Sequence, residues 1–487
     1  MKTILIALTE EQQAVVNHVS KAPPGQIVIL LGEAGSGKTQ TVAAFPAATG
    51  KRVTYIAPTH QAKTVLFDRL VQSGIKSPHV ITVASFLNKR PDHSNLPSED
   101  DLLALNFVGG DADSINKNDI IVSDESSMLC LADLNEIHRA SLAGVLVIVG
   151  DFAQLKPVNE ATIFPQLICG KENHPDKITI FELGQNLRAG TQELVSYLNR
   201  VRNLGDFPTD NLPTDGSVRH IDNTEQFDQE WLDALATHGQ EKVLRLAYTN
   251  DRVNASAAIG RNKLGYSGRF YGEGEVLRVN APFQFITWTD ARELAGYGAT
   301  RDEIKEVLNR HTLQTGNQFR ITATEKESTI SFPWVPGIEV PVQKTKGIIL
   351  SGNCAGTSFE YDAVEIDALK KGDSTPANLL LLGARRAAEA ASTKNFSKVD
   401  AATEQAIRRE MACFPNSNGS YWHGKLFYSV REQIKEVSSS LCLTTHKAQG
   451  TGCDYVFVDA KNMTGSEAAS LKYTAASRVR KQLVVRV

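Results

Sequence analysis

A chain of 487 residues with 52 Lys and Arg against 55 Asp and Glu carries a formal charge of −3. At ~150 residues per domain the length corresponds to about three domains. Hydrophobic residues at 41% and charged residues at 22% exclude wholesale disorder, and no apolar run approaches the ~18–20 residues of a membrane span.

The first segment, Met1-Lys2 followed by Ile4-Leu5-Ile6-Ala7-Leu8, has too short an apolar core for a secretory signal and runs into Thr9-Glu10-Glu11-Gln12 without a cleavage site. Cys130, Cys169, Cys354, Cys413, Cys442 and Cys453 are scattered with no CxxC, which argues against a zinc site or a disulfide framework and fits a reducing cytoplasm. Near-neutral charge removes the simplest argument for nucleic acid. The charge is uneven, however. Between Pro91 and Asn135 ten acids stand against Lys117 alone, so that window carries −9 and the remainder +6.

In chain order, the apolar runs Ile27–Leu31, Val53–Ile56, Ile120–Val122, Val145–Val149 and Ile178–Phe181 are short, rich in β-branched residues and bounded by turn residues. Such runs predict strands buried on both faces, as in a parallel sheet. Thr39–Ala48 and Gln61–Ser73 have the length of crossover helices, which completes a βαβ rhythm. A helix over Gln192–Leu204, a loop over Pro208–Gly216 and a strand over Val243–Tyr248 follow. From Asn262 the pattern changes to antiparallel β, with strands expected within Glu275–Trp288, Gln318–Glu325, Ser328–Pro333 and Gly347–Gly352. Helical insertions are expected near Asp290–Arg310 and Asn378–Cys413, and the α/β pattern returns from Leu441 to end in a strand over Gln482–Val487.

The strongest motif is Gly32-Glu33-Ala34-Gly35-Ser36-Gly37-Lys38-Thr39, a GxxxxGK[ST] that follows one predicted strand and opens a helix. Its glycines let backbone N–H groups, from Gly32 through Ala34, Gly35, Ser36 and Gly37, turn around phosphates, and the helix N-terminus adds its dipole. Lys38 reaches the β- and γ-phosphates and Thr39 ligates Mg²⁺ in such a loop. Ile120-Ile121-Val122-Ser123-Asp124-Glu125 places acids at the end of a neighbouring strand: Asp124 for Mg²⁺, Glu125 to orient and deprotonate water. A third strand ends in Gly150-Asp151, with Gln154 placed to feel the γ-phosphate. Arg188 and Arg478 are the arginines available to neutralise charge on a transferred phosphoryl group.

The order of these motifs resembles superfamily 1 helicases, more narrowly the 5′→3′ branch with RecD-like enzymes and Dda-type phage helicases. The matching residues are Leu8–Gln12, the P-loop, Ala57–Lys63, Asp124-Glu125, Gly150–Val158, Arg188, Tyr248-Thr249-Asn250, Thr444–Gly450 and Tyr473–Arg480. The resemblance implies an α/β fold of two RecA-like domains with a small β-rich, SH3-like insert in the second. The first domain is expected at 1–185 with a pin-bearing insert near 88–118, the second at 186–261 plus 436–487, and the insert at 262–435. It also implies an ATP- and Mg²⁺-dependent enzyme that moves 5′→3′ on single-stranded DNA and opens forked duplex. Such an enzyme acts as a monomer in bacterial cytoplasm, or in host cytoplasm for a phage protein, with single-strand-binding or replication proteins as further partners.

By the same resemblance Gln12 reads adenine, although Thr9 with Gln12 also fits a capping box. Pro58, Thr59, His60, Ser85, Thr444 and His446 contact the single strand. Ala84 stands where the family often has a DNA-contacting His. Phe107 falls where Dda-type helicases carry a strand-separating pin, and burial beneath its loop is the other reading. Tyr421-Trp422 and Phe427-Tyr428 fit core packing or a base-stacking platform, and the latter makes Trp422 a DNA contact. A nucleoprotein remodeller that does not separate strands, and an RNA-directed helicase, share the same ATP motifs.

Overall fold

The computed structural model describes residues 8–91, 95–103, 107–109, 119–157, 162–185, 190–286, 288–296, 298–370 and 373–487. The chain forms two compact units: residues 1–88, 110–265 and 440–487 make one, and residues 89–109 with 266–439 make the other.

The first unit holds two parallel sheets. Strands β1 (Ile27–Gly32), β2 (Val53–Ala57), β3 (His79–Thr82), β4 (Ile120–Ser123), β5 (Val145–Gly150) and β6 (Ile178–Leu183) pair in the order β3-β2-β4-β5-β1-β6. The apolar runs of the inner strands β1, β2, β4 and β5 are buried on both faces: in β1, Val28 and Leu30 enter one core while Ile27 and Ile29 enter the other. Each such side chain contributes about 1.5–3 kcal/mol on burial, which makes a continuous apolar run a stable sheet centre. Where one helix was expected over Thr39–Ala48, two short ones occur, Lys38–Ala43 and Phe45–Thr49. Pro46 has no N–H to continue the first helix, so the chain restarts before it.

The second sheet takes β7 (Val218–Ile221) and β8 (Val243–Ala247) together with strands Cys442–Thr444, Cys453–Asp459 and Val479–Arg486. From one edge the order is Cys442–Thr444, β8, Cys453–Asp459, Val479–Arg486, β7, and every pairing is parallel. The helix Gln192–Leu204 has the bounds its sequence predicts, with Thr191 capping its start and Gly205 (φ 68°) ending it. The mixed α/β class with parallel sheets is thus present in two copies within one unit.

The second unit is built on a five-stranded antiparallel sheet, Ser358–Val364, Val335–Ile349, Gln318–Phe332, Val276–Val279 and Val437–Ser439. The expected strand over Glu275–Trp288 is shorter: it breaks after Val279, and Trp288 begins a helix to Ala295. The tip of the long hairpin carries Val335, Val340 and Val342 into a core shared with the Ala-rich helix Pro376–Thr393. The small face of that helix, Ala384, Ala387, Ala388 and Ala391, leaves room for large partners, and Trp422 and Phe427 fill it. Trp422 is 2% exposed, with Tyr421 edge-on at 5.0 Å. This corrects the base-stacking reading: a ring packed on both sides offers no face to a nucleobase.

Residues 95–103 lie on the same helical cluster. Leu96, Leu102 and Leu103 pack against it, and Tyr428 donates to the Asn95 carbonyl at 3.0 Å. Arg385 donates to Pro97 O at 2.6 Å, and Arg386 pairs with Glu99 at 2.9 Å. Phe107–Val108 pairs antiparallel with Arg90–Pro91.

Candidate active site

The loop after β1 folds as its glycines require. Gly35 and Gly37 have φ of 95° and 82°, a region open to glycine without a Cβ penalty. A Cβ at Gly32 would come within 2.4 Å of Ser36 Oγ. Lys38 Nζ lies along the loop and donates to Gly32 O at 2.7 Å and Glu33 O at 2.8 Å. Gln12 is 1% exposed. Its Oε1 accepts from Thr9 N at 3.0 Å and its Nε2 reaches Gly37 O at 3.5 Å, so the capping box also ties the first helix to the loop.

At the end of β4, Asp124 is buried and accepts from the Glu125 amide at 2.9 Å. Burial foremost, then the neighbouring Glu125 carboxylate, raise the Asp124 pKa above the ordinary carboxylate range. Glu125 itself has φ 50° and ψ 38°, a left-handed conformation that costs a non-glycine residue about 1–3 kcal/mol. The turn aims both carboxylates at the same space. That space is a cavity of about 190 Å³ lined by the P-loop residues Ala34, Gly35, Gly37, Lys38 and Thr39, by Asp124, Glu125 and Gln154, and by Arg69, Gly450 and Arg478.

Arg478 enters from the second sheet's side, on the turn after helix Ala468–Ala476. It is 2% exposed, and its Nη2 donates to Gln154 Oε1 at 2.9 Å while Nε donates to Thr474 O at 2.9 Å. Burial lowers its pKa and the Glu125 carboxylate opposes that shift. Arg188 lies outside the described residues.

Several residues with no role assigned by sequence join the site. Gln449 Nε2 donates to Glu125 Oε2 at 3.4 Å, and its Oε1 is buried without a hydrogen-bond partner among the described residues. Arg69 Nη2 donates to Gly450 O at 2.6 Å, and Gln61 Nε2 to Gln449 O at 3.2 Å. Helix His60–Gln72 of the first sheet is thereby fastened to the turn after strand Cys442–Thr444. Gln449 and Asp151 sit inside recognisable motifs; Arg69 lies mid-helix, where spacing carries no signal.

The polar residues assigned to a single strand divide by position. Pro58, Thr59 and His60 follow β2, and Ser85 follows β3, its register neighbour through Ala57 and Thr82. Thr59 and Ser85 are exposed, although Thr59 Oγ1 also caps its helix by accepting from Ala62 N at 3.1 Å. On the second sheet, His446 lies beside the half-exposed Tyr248 with ring centroids 6.5 Å apart. Burial lowers the His446 pKa. Thr444 is buried, and its hydroxyl accepts from Lys447 N at 3.3 Å.

The donors fit Mg²⁺. Thr39 and Asp124 both line the cavity and offer a hydroxyl and a carboxylate, the hard oxygen ligands this ion takes beside phosphate and water. Ser36 Oγ is buried with no partner among the described residues, a donor left over for an anionic oxygen.

Residues 7–223 match the AAA domain family model. The matched AAA domain therefore contains the P-loop, Asp124, Glu125 and Gln154. No curated protein sequence matches the chain. Among solved structures, one reported as the basis for DNA unwinding at forked duplex by two coordinating Pif1 helicases is 16% identical, with a TM-score of 0.48 over 99% of this chain and 92% of that one. Pif1 helicase from Bacteroides in complex with ADP-AlF3 and single-stranded DNA is 15% identical, with a TM-score of 0.47 over 99% and 93%. Pif1 helicase from Candida albicans is 16% identical, with a TM-score of 0.45 over 99% and 95%.

Proposed function

We propose that the chain is an ATP-driven DNA helicase that moves 5′→3′ along a single strand and separates forked duplex. The observation that carries this reading is the convergence on one cavity of Lys38, Thr39, Asp124 and Glu125 from the first parallel sheet with Arg478 from the second. A catalytic site whose last member stands on another sheet is complete only when the two sheets are held together, which converts hydrolysis into relative motion. In this reading Gln12 contacts adenine, and Lys38 with the loop amides holds the phosphates. Thr39 and Asp124 would hold Mg²⁺, which when bound would supply positive charge against the phosphates. Glu125 takes the proton of the attacking water, its carboxylate held by Gln449 Nε2 at 3.4 Å. Gln154, Arg188 and Arg478 stabilise charge on the γ-phosphate. Pro58, Thr59, His60 and Ser85 on one sheet, with Thr444 and His446 on the other, grip the strand. Phe107 serves as the strand-separating pin, and it parts the duplex together with the accessory insert at 262–435. The domain division of this reading is 1–185, 186–261 plus 436–487, and an accessory insert at 262–435.

The decisive experiment uses matched duplexes bearing a 5′ or a 3′ single-stranded tail, with ATP and Mg²⁺. Opening of the 5′-tailed substrate alone is the expected result, and Lys38→Ala abolishes it together with hydrolysis while single-strand binding remains. Hydrolysis retained by Lys38→Ala overturns the ATP site. Protein displacement without strand separation assigns a remodeller, and stimulation by RNA tails alone assigns an RNA substrate.

A further inference from the structure

Resting on the ATPase reading above, we infer that Tyr473 and Asp151 are positioning residues that link occupancy of the P-loop to the orientation of Gln154 and Arg478. A single hydrogen-bonded chain carries the link. The Ala34 amide, within the P-loop, donates to Tyr473 Oη at 3.4 Å. Tyr473 Oη donates to Asp151 Oδ2 at 2.7 Å. The same carboxylate oxygen accepts from Gln154 Nε2 at 3.4 Å, and Gln154 Oε1 accepts from Arg478 Nη2 at 2.9 Å.

The direction of each bond is forced. A carboxylate only accepts, so the one hydroxyl proton of Tyr473 points to Asp151 and its lone pairs face Ala34. For the same reason the Gln154 NH₂ group faces Asp151, and its carbonyl is left for the guanidinium. Burial, and next the Asp151 charge, push the Tyr473 phenol well above its usual pKa, so the proton stays in place. Asp151 is fixed from the other side by Arg202 at 3.3 Å and by the Ala153 amide at 3.2 Å. It has little freedom to compensate for a lost donor.

The link from Ala34 is long for an amide–hydroxyl bond. An anionic phosphate oxygen makes a charge-assisted bond roughly twice as strong as a neutral one and competes successfully for that amide. Tyr473 Oη then loses a donor and turns wholly to Asp151, and Asp151 holds the Gln154 amide in the orientation that presents its carbonyl to Arg478. Neither Tyr473 nor Asp151 lines the cavity. Their effect is exerted through Gln154 and Arg478, which do.

The test is a double-mutant cycle on the full chain, using Tyr473→Phe, Gln154→Ala and the pair. Single-strand-stimulated ATP hydrolysis is the readout, with binding of a fluorescent ADP analogue and thermal melting alongside. Tyr473→Phe keeps the ring and removes only the hydroxyl. It is expected to lower kcat about tenfold with KM within about twofold and melting unchanged, and the pair is expected to be no slower than Gln154→Ala alone. Asp151→Asn, which keeps the volume and removes the charge, is expected to repeat both results. Unchanged kcat in Tyr473→Phe, or losses that multiply in the pair, overturn the linkage while leaving the ATPase reading intact. A wild-type chain without hydrolysis overturns both.

Discussion

Glu125 holds its place at the cost of a left-handed backbone, φ 50°, and such strain persists only where neighbours over-determine the conformation. The neighbours here are Asp124, whose carboxylate takes the Glu125 amide at 2.9 Å, and Gln449, whose amide reaches the Glu125 carboxylate at 3.4 Å. Gln449 comes from the second sheet's side, so the carboxylate proposed as the base for water activation is aimed by a residue of the other sheet. Gln449→Ala removes that aim. It should lower kcat about tenfold, in the range for loss of one positioned polar group, with nucleotide affinity within about twofold. Single-turnover hydrolysis against analogue binding measures the split, and equal changes in both contradict the assignment. At this scale the sequence conveys the residues that sit in fixed spacings, namely the P-loop, the Asp-Glu pair and the arginine after the Tyr473 motif. It does not convey Arg69 or Gln449's partner, because those contacts depend on how two sheets meet.

At the scale of elements, legibility follows the physics of the core. Strands β1, β2, β4 and β5 are readable because burial on both faces demands continuous apolar runs, and helix Gln192–Leu204 because Thr191 and Gly205 punctuate it, whereas the edge strand β3 (His79–Thr82), exposed at His79 and half-buried at Ile81, has no such run and no strand is expected there. The hairpin Gln318–Phe332 and Val335–Ile349 was read only in fragments. Pro336, Gly337 and Pro341 look like turn residues, yet they lie within the second strand. One helical insertion over Asn378–Cys413 is two helices, broken at Lys394, which takes a left-handed φ of 56° without a glycine to announce it. Trp422 misled for a related reason: an aromatic pair on a sequence has no sidedness until the Ala-rich face it packs on is known. The same cluster yields a prediction. Residues 95–103 are latched to helix Pro376–Thr393 through Arg385 on Pro97 and Glu99, and Arg386 on Glu99. Exposed ion pairs add only about 0–1 kcal/mol each, so the latch fixes position more than stability. In R385A/R386A, melting should shift by less than about 4 °C, single-strand-stimulated hydrolysis should persist, and forked-duplex opening should fall severalfold. Parallel loss of hydrolysis would count against the proposed pin near Phe107.

For the whole molecule, a net charge of −3 stands against the proposed strand-binding role. Four of the ten acids between Pro91 and Asn135 are committed to partners or to the cavity. Asp119 pairs with Arg52 at 2.6 Å, Glu99 with Arg386 at 2.9 Å, and Asp124 and Glu125 face the nucleotide cavity. The residues assigned to the strand are hydroxyls and imidazoles rather than a row of cations, and burial lowers both His446 and the neighbouring lysine of the first sheet's track, Lys63. With its pKa pushed below the ordinary histidine value by burial, His446 adds little positive charge to the strand-binding face at pH 7. Few phosphates are therefore neutralised. Because log K falls with log salt by ≈ 0.7 per neutralised phosphate on a single strand, the slope should be shallow, no steeper than about −3. Fluorescence anisotropy of a labelled oligonucleotide between about 50 and 200 mM salt measures it. A slope near −7 would mean about ten ionic contacts and would move the strand to a basic surface that the assigned residues do not form. A shallow slope suits a motor that must release its track at every ATP, since affinity made of few ionic contacts can be switched by a small displacement of one sheet against the other.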